Sequence, residues 1–411
     1  MTSRVTITGI AAGGDGVGRA DGRVLFVPRT APGDLAEVRF STGPAARFAH
    51  ARLLRVLEAG PSRVEPECPH YRRDDCGGCQ LQHLAYEAQL EAKAAIIADA
   101  FERIAKRPLP APPDVRRSPA PWRYRRKISL HLRHEGGRVV GGLHPWHDPS
   151  AVFSLDDCRI ASPAVNAACR DVVAAADALP AAPGLRATVR EAEGGVTLVI
   201  EGGTAWRDPA ALLGRVPSLV AVWWQPHEGR RRLVADRRPA DEPGASFVQV
   251  NAAVAADLRA HAVERLLAHA PATVVDAYAG SGETALAIAA RGVRVTAIEL
   301  DADAARFCGA RLPAGSRSIS ARVEAELPRS LPADAVLLNP PREGLQARVT
   351  RALDAEHGRA RAIVYVSCNP ATLARDVARL PHWRVASCMA FDMFPQTAHV
   401  ETMCELVPEG T

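Results

Sequence analysis

The spacing of apolar positions changes along this chain, and the changes separate three regions. Over residues 5–58 apolar and polar residues alternate in short runs, the period of half-buried strands. Val5–Ile10, Val24–Val27, Ala36–Phe40 and Ala51–Leu57 read this way, with turns at Asp21-Gly22 and Pro32-Gly33-Asp34. From about 84 to 106 the step lengthens. Tyr86, Leu90, Ala94, Ile97, Phe101 and Ile104 recur at three and four residues, one face of a helix that ends at Pro108–Pro113. Val139 to about Phe247 mixes strand-like runs (Val196–Ile200, Leu219–Trp224) with one helical run, Ala164–Leu179. Beyond that, short continuous apolar runs end in polar residues: Asp276, Glu299, Asn339 and, after Ala362–Val364, Cys368. Such runs are buried strands, and open α/β sheets place their reacting groups at the carboxyl ends.

Those strand ends carry the candidate chemistry. After Asp276 comes a glycine turn, Gly280 and Gly282, then a helix from about Thr284. Val293–Ile298 ends in Glu299, where a carboxylate can take ribose hydroxyls. No Walker lysine follows the turn and the third glycine of a dinucleotide loop is missing, so S-adenosylmethionine fits better than ATP or NAD. The glycines of residues 13–18 are no such loop, because Arg23–Val27 after them is a strand. Asn339-Pro-Pro is followed by Arg342 and not by a base-stacking aromatic, which argues against methylation of an amine. Cys368 is a candidate nucleophile, although its own stretch taken alone favours a small buried hydrophobe. Glu401, taken alone, is an ordinary surface carboxylate.

Composition adds bounds. The chain has 411 residues, 47% hydrophobic and 24% charged, which suits two or three globular domains. A net charge of +5 is compatible with a nucleic-acid partner. No stretch has the apolar length of a membrane span and the start does not resemble a signal peptide, so a reducing cytoplasm is expected. There clustered cysteines bind metal. Cys68, Cys76 and Cys79 follow the spacing Cys-x7-Cys-x2-Cys, and Cys158 is the nearest downstream fourth ligand. Zinc and an iron–sulfur cluster both fit the set. Aromatics and cations interleave in Pro121-Trp-Arg-Tyr-Arg-Arg-Lys127, a pattern suited to stacking and phosphate contact with RNA. Nothing calls for an obligate dimer, so a monomer is expected.

Two resemblances gather these motifs. Gly16 to Pro28 and Pro32-Gly-Asp34 resemble the TRAM domain, an RNA-binding barrel of the OB type, which points to Arg19, Arg23, Arg29 and the sheet face as RNA contacts. Nearly the whole chain resembles the bacterial RNA 5-methyluridine methyltransferases. The likeness is carried by the four cysteines, Phe247-Val-Gln-Val-Asn251, Asp276-Ala-Tyr-Ala-Gly-Ser-Gly282, Asn339-Pro-Pro-Arg342, Ser367-Cys-Asn-Pro-Ala-Thr372 and Phe394-Pro-Gln-Thr-Ala-His-Val-Glu401. It implies an α/β protein: a Rossmann-like S-adenosylmethionine methyltransferase domain at 246–411, an OB-like barrel at 1–58, and a central mixed β domain at 59–245 whose helix 84–106 packs on the catalytic domain. It further implies a 4Fe–4S cluster on Cys68, Cys76, Cys79 and Cys158, and cofactor contacts at Gln249, Tyr278, Glu299 and Asn339. Cys368 becomes the nucleophile that adds to uracil C6, and Glu401 the base. The family usually has Asp where this chain has Asn339. The barrel and cysteines point to 23S ribosomal RNA. The rivals are C5 methylation of transfer-RNA uridine or of cytosine, and a non-catalytic iron–sulfur RNA-binding protein.

Overall fold

The computed structural model describes residues 1–41, 46–109, 111–238, 249–356 and 359–410. Five strands close the amino-terminal barrel: β1 (Thr2–Ile10), β2 (Gly16–Ala20), β3 (Arg23–Val27), β4 (Leu35–Phe40) and β5 (Phe48–Glu58), in the order β1-β2-β3-β5-β4. The apolar pattern shows four of them. It misses β2 because glycines occupy the inward positions of that strand. A Cβ on Gly16 would lie 2.1 Å from Thr30 Oγ1, and one on Gly18 would lie 2.4 Å from Val5. Glycine is therefore required there by close packing. Asp21 and Gly22, at φ 51° and 73°, make the expected hairpin turn.

A short helix α1 (Pro69–Arg73) and the cysteine-bearing loop lead into α2 (Tyr86–Ala100). The chain continues as a π-helical turn over Phe101–Ala105, then adds β6 (Asp114–Arg116). Next come β7 (Lys127–Glu135), β8 (Arg138–Leu143), β9 (Phe153–Ser154), α3 (Pro163–Ala174), β10 (Gly184–Ala192), β11 (Gly195–Glu201), α4 (Ala210–Arg215), β12 (Leu219–Gln225) and β13 (Arg232–Asp236). Their strands form a seven-stranded sheet, β13-β12-β11-β10-β7-β8-β9. Alternation sets its faces: Ile128, Leu130 and Leu132 bury against Val165, Ala168 and Val172 of α3. The Ser162 hydroxyl caps α3 by accepting from the Val165 amide at 3.3 Å.

The last unit is α5 (Ala252–Leu267), β14 (Thr273–Ala277), α6 (Glu283–Ala289), β15 (Arg294–Glu299), α7 (Ala302–Arg311), β16 (Arg317–Ser320), α8 (Val323–Ser330), β17 (Ala335–Leu338), α9 (Ala347–Ala355), β18 (Ala362–Ser367), α10 (Pro370–Ala378), β19 (Trp383–Phe391) and β20 (Glu401–Pro408). The strand order is β16-β15-β14-β17-β18-β20-β19-β6. Strands β14 to β18 run parallel, and every residue of β18 is buried, as a sheet covered on both faces requires. β20 turns back antiparallel to β18. β6 joins the far edge from a distant part of the chain. It is accompanied by α2 and the π-helical turn: Ile97, Ala100, Phe101 and Ala105 share one core with Tyr365, Leu373 and Trp383. No helix among the described residues is long and apolar enough to cross a membrane.

Candidate active site

The first half of the site lies at the ends of β14 and β15. Tyr278 follows β14 at φ 65°, and Gly280 and Gly282 also take positive φ. At Gly282 a Cβ would meet the Cys308 sulfur at 2.2 Å, so only glycine lets the turn sit against α7. The Glu299 carboxylate accepts from the Gly280 amide at 2.9 Å and from the Asp301 amide at 2.8 Å. It thereby ties the glycine turn to the start of α7. Beneath the turn Asp276 is buried, and burial pushes its carboxyl up to about 7, with Glu299 nearby adding to the rise. Its Oδ2 has no hydrogen-bond partner among the described residues. An orphaned buried acceptor under a glycine turn suits a cofactor that brings a donor. The sequence marks Asp276 only as a strand end. Asn339 is exposed at the end of β17, and its amide donates to Ala277 O at 3.2 Å. Gln249 is half-buried before the capping Asn251, whose side chain accepts from Val254 N at 3.4 Å. Phe247 and Val248 of that motif lie outside the described residues.

The second half is built by strand register. β18 and β20 pair Val366 with Met403 and Ser367 with Thr402. One step further, Cys368 comes beside Glu401. Cys368 sits in the turn from β18 into α10, fixed by the Ser367 hydroxyl donating to Asn369 O at 3.1 Å and by the Asn369 cap accepting from Ala371 N at 3.1 Å. The thiol is half-buried. Burial raises its pKa and the Glu401 charge raises it further, while the Arg342 guanidinium, within hydrogen-bonding reach, pulls it down. Glu401 is only 2% exposed. Burial pushes its carboxyl up to about 8, against the pull of Arg342. The Arg342 carbonyl accepts from Asn369 Nδ2 at 3.4 Å and Thr372 Oγ1 at 3.3 Å, so the Asn-Pro-Pro-Arg turn is bound to the cysteine turn. Sequence reading used Arg342 only against amine chemistry and missed its place beside the thiol. The signal was a cation directly after a polar strand end, in a strand that proves to neighbour β18.

The other four candidate thiols are elsewhere. Cys68, Cys76, Cys79 and Cys158 line one cavity of about 240 Å³, together with Arg125, Lys127 and Arg186. Burial pushes the Cys76 thiol up to about 12 and raises Cys79 and Cys158; charge on neighbouring cysteines of the set raises all three further. Among the described residues no three His, Cys, Asp or Glu side chains converge closely enough to hold one metal ion.

Two expected RNA contacts point inward instead. Tyr124 is buried, and its hydroxyl donates to Pro395 O at 2.9 Å, so its ring is not free to stack on a base. Arg123 beside it is paired in two contacts with Asp157, at 2.6 and 2.7 Å. Arg29 pairs with Asp75 at 2.6 Å and lies 4.4 Å above the Tyr71 ring, so it fastens the barrel to the cysteine region. Arg19 remains exposed, and Arg23 is half-buried, donating to Ala46 O at 3.2 Å. The barrel also carries aromatics that the sequence reading did not name: Phe48 is 59% exposed and packs edge-on to Phe26, which stacks on His50.

A parallel sheet with a glycine turn after its first strand and an acid after its second is a doubly wound fold that binds a nucleoside-bearing cofactor at the carboxyl ends of its strands. The comparisons make the class specific. A family model described as tRNA (Uracil-5-)-methyltransferase matches residues 315–407, and the TRAM domain model matches residues 1–54. An uncharacterized RNA methyltransferase of Thermosynechococcus vestitus is 32% identical, over 98% of this chain and 98% of its own. The 23S rRNA (uracil(1939)-C(5))-methyltransferase RlmD of Alkalilimnicola ehrlichii is 32% identical, over 97% and 95%. The crystal structure of the Pyrococcus abyssi tRNA (uracil-54, C5)-methyltransferase with S-adenosyl-L-homocysteine shares the fold, with a TM-score of 0.68 at 24% identity over 98% of this chain and 100% of that one. The chain belongs to the family of S-adenosylmethionine-dependent RNA uracil-C5 methyltransferases.

Proposed function

We propose that this protein methylates C5 of a uridine in 23S ribosomal RNA through a covalent adduct on Cys368, with Glu401 as the base. The observation that carries this reading is the antiparallel register that brings a half-buried thiol and a buried carboxyl together, with one arginine acting on both. The choice of RNA rests on RlmD relatives in Alkalilimnicola ehrlichii and Bordetella parapertussis and on the amino-terminal TRAM barrel.

Each residue has a task. Arg342 lowers the cost of the Cys368 thiolate. The thiolate adds to C6, the S–C6 bond forms, and the C5–C6 π electrons move to C5, making it nucleophilic. S-adenosylmethionine supplies the methyl group that C5 takes. Glu401 then removes the C5 proton, the C6–S bond breaks, and the thiolate returns. Glu299 and the turn at Gly280 and Gly282 hold the cofactor beside Tyr278 and Gln249, above the buried, unpartnered oxygen of Asp276. Asn339 borders the cofactor pocket in this reading, where it would also meet the uracil edge. Its amide oxygen still accepts from N3–H, though more weakly than the carboxylate usual there. The target nucleotide leaves its helix to reach a thiol at the base of such a turn.

Cys68, Cys76, Cys79 and Cys158 hold a 4Fe–4S cluster in this reading. Four soft donors lining one cavity of about 240 Å³ support this choice. The cluster would cross-link residues 68–79 to Cys158, and no step of the reaction passes through it.

Tritium release from 23S rRNA transcript labelled at uridine C5 tests the reaction. Release that needs S-adenosylmethionine is expected. Release from C5-labelled cytidine or from transfer RNA alone would replace the substrate.

A further inference from the structure

Glu401 is reached through a loop, 392–400, that has no regular structure of its own. At its centre Gln396 takes φ 70°, a conformation that non-glycine residues rarely adopt. The turn is closed locally by Thr397, whose amide donates to Phe394 O at 3.1 Å and whose hydroxyl donates to the same oxygen at 2.8 Å, and it is clamped from outside by the segment 80–124. The Gln396 carbonyl accepts from the amides of Gln80 at 3.1 Å and Leu81 at 3.0 Å. Its amide donates to Gln89 Oε1 at 2.9 Å, and its side-chain oxygen accepts from Gln89 Nε2 at 3.0 Å. Ala398 N donates to Gln80 Oε1 at 3.4 Å. Before the bend, Asp392 is paired with Lys93, both fully buried, and accepts from the Tyr86 hydroxyl at 2.7 Å; Lys93 also donates to Phe394 O at 3.0 Å.

Gln80 faces two ways. Its Oε1 serves the loop that leads to Glu401, and its Nε2 donates to Gly77 O at 2.9 Å, between Cys76 and Cys79. We propose that Gln80 and Gln89 are positioning residues for proton removal: they clamp the Gln396 bend so that Glu401 meets the C5 proton, and Gln80 ties that clamp to the cysteine loop. The inference rests on Glu401 being the base. It goes beyond it by assigning control of that one step to residues about three hundred positions away.

The separation of steps gives the test. If only proton removal is slowed, attack by Cys368 and methyl transfer still occur, and RNA stays bonded to the protein through C6 with its C5 proton in place. Full-length Gln80→Ala, Gln89→Leu and Glu401→Gln proteins are mixed with 23S transcript and S-adenosylmethionine, then run on a denaturing gel. Gln80→Ala is expected to turn over about tenfold to a hundredfold more slowly, the scale of a small misplacement. It should also accumulate covalent RNA–protein complex, as Glu401→Gln should. Amide hydrogen exchange at Ala398 should speed up in Gln80→Ala, while the amides of β18 stay protected. Slower turnover without trapped complex would mean that the clamp serves folding alone and would overturn the proposal, as would unchanged turnover. Failure of Glu401→Gln to trap RNA would instead remove the base assignment, and the proposal with it.

Discussion

The molecule holds two cysteine sites with opposite environments. Cys368 is half-buried at a strand end, with an arginine beside it and a carboxyl opposite. Cys68, Cys76, Cys79 and Cys158 face a common cavity, and each of three is pushed up by burial and by charge on the others of the set. One thiol stands apart, raised by burial and by Glu401 and drawn back down by Arg342. Four are arranged so that they cannot ionise together unless a cation compensates. Thiols are alike in sequence; what differs here is their company, since Cys368 has a carboxyl and an arginine beside it while the other four have chiefly one another.

That contrast can be broken most directly by exchanging losses. Cys368→Ala should abolish methyl transfer and leave iron and sulfide content intact. Cys79→Ser should lose the metal and lower the apparent unfolding temperature by several degrees. Retention of full iron in Cys79→Ser, or of activity in Cys368→Ala, would dissolve the distinction. Next in size is Arg342→Met. Without the cation the thiolate is harder to form, so turnover at pH 7 should fall about tenfold to a hundredfold and recover in part as pH rises. An equal loss at every pH would mean that Arg342 serves substrate binding instead.

Glu401 gives a third test, with a definite sign. Its folded pKa, about 8, lies above the ordinary 4.5, so the fold favours the neutral form. The stability this contributes is whole below pH 4.5 and is lost as pH rises through 8. The proposed proton removal needs the opposite form, because only the carboxylate takes a proton. Wild-type turnover should therefore rise between pH 7 and 9, where Glu401→Gln gains thermal stability relative to wild type. A flat thermal comparison across that range would contradict the buried neutral carboxyl. Smallest is Arg29→Ala. It removes one partly exposed ion pair and one cation–π contact, about 1 kcal/mol together. RNA affinity should be unchanged within error by filter binding, since that guanidinium is turned toward Tyr71 and Asp75.

Much of this site is legible in the sequence because its parts are local. A buried strand, a glycine turn and an acid one strand later are read from neighbouring residues, and so is a thiol at a strand end. What escapes is what depends on strand order. Arg342 meets Cys368 because β17 lies next to β18, and Glu401 meets it because β20 turns back along β18. Tyr124 misleads for the same reason: its aromatic and basic neighbours suggest a surface, but its hydroxyl partner is a carbonyl 271 residues away. β6 is only three residues long, and nothing in its composition marks it as the edge of a distant sheet.

The pairing of Lys93 with Asp392 also sets an order in time. The two are 299 residues apart, so α2 leaves the ribosome long before its acidic partner exists. At roughly 5–20 residues per second, that interval is about fifteen seconds to a minute. Throughout it Lys93 must stay hydrated, and α2 cannot settle into the core it later shares with β18. The barrel and the central sheet have all their strands by then. The proposed thiol–carboxyl site is thus completed after the barrel and the central sheet, and a chain stopped before Cys368 would carry Cys68, Cys76, Cys79 and Cys158 but neither Cys368 nor Glu401.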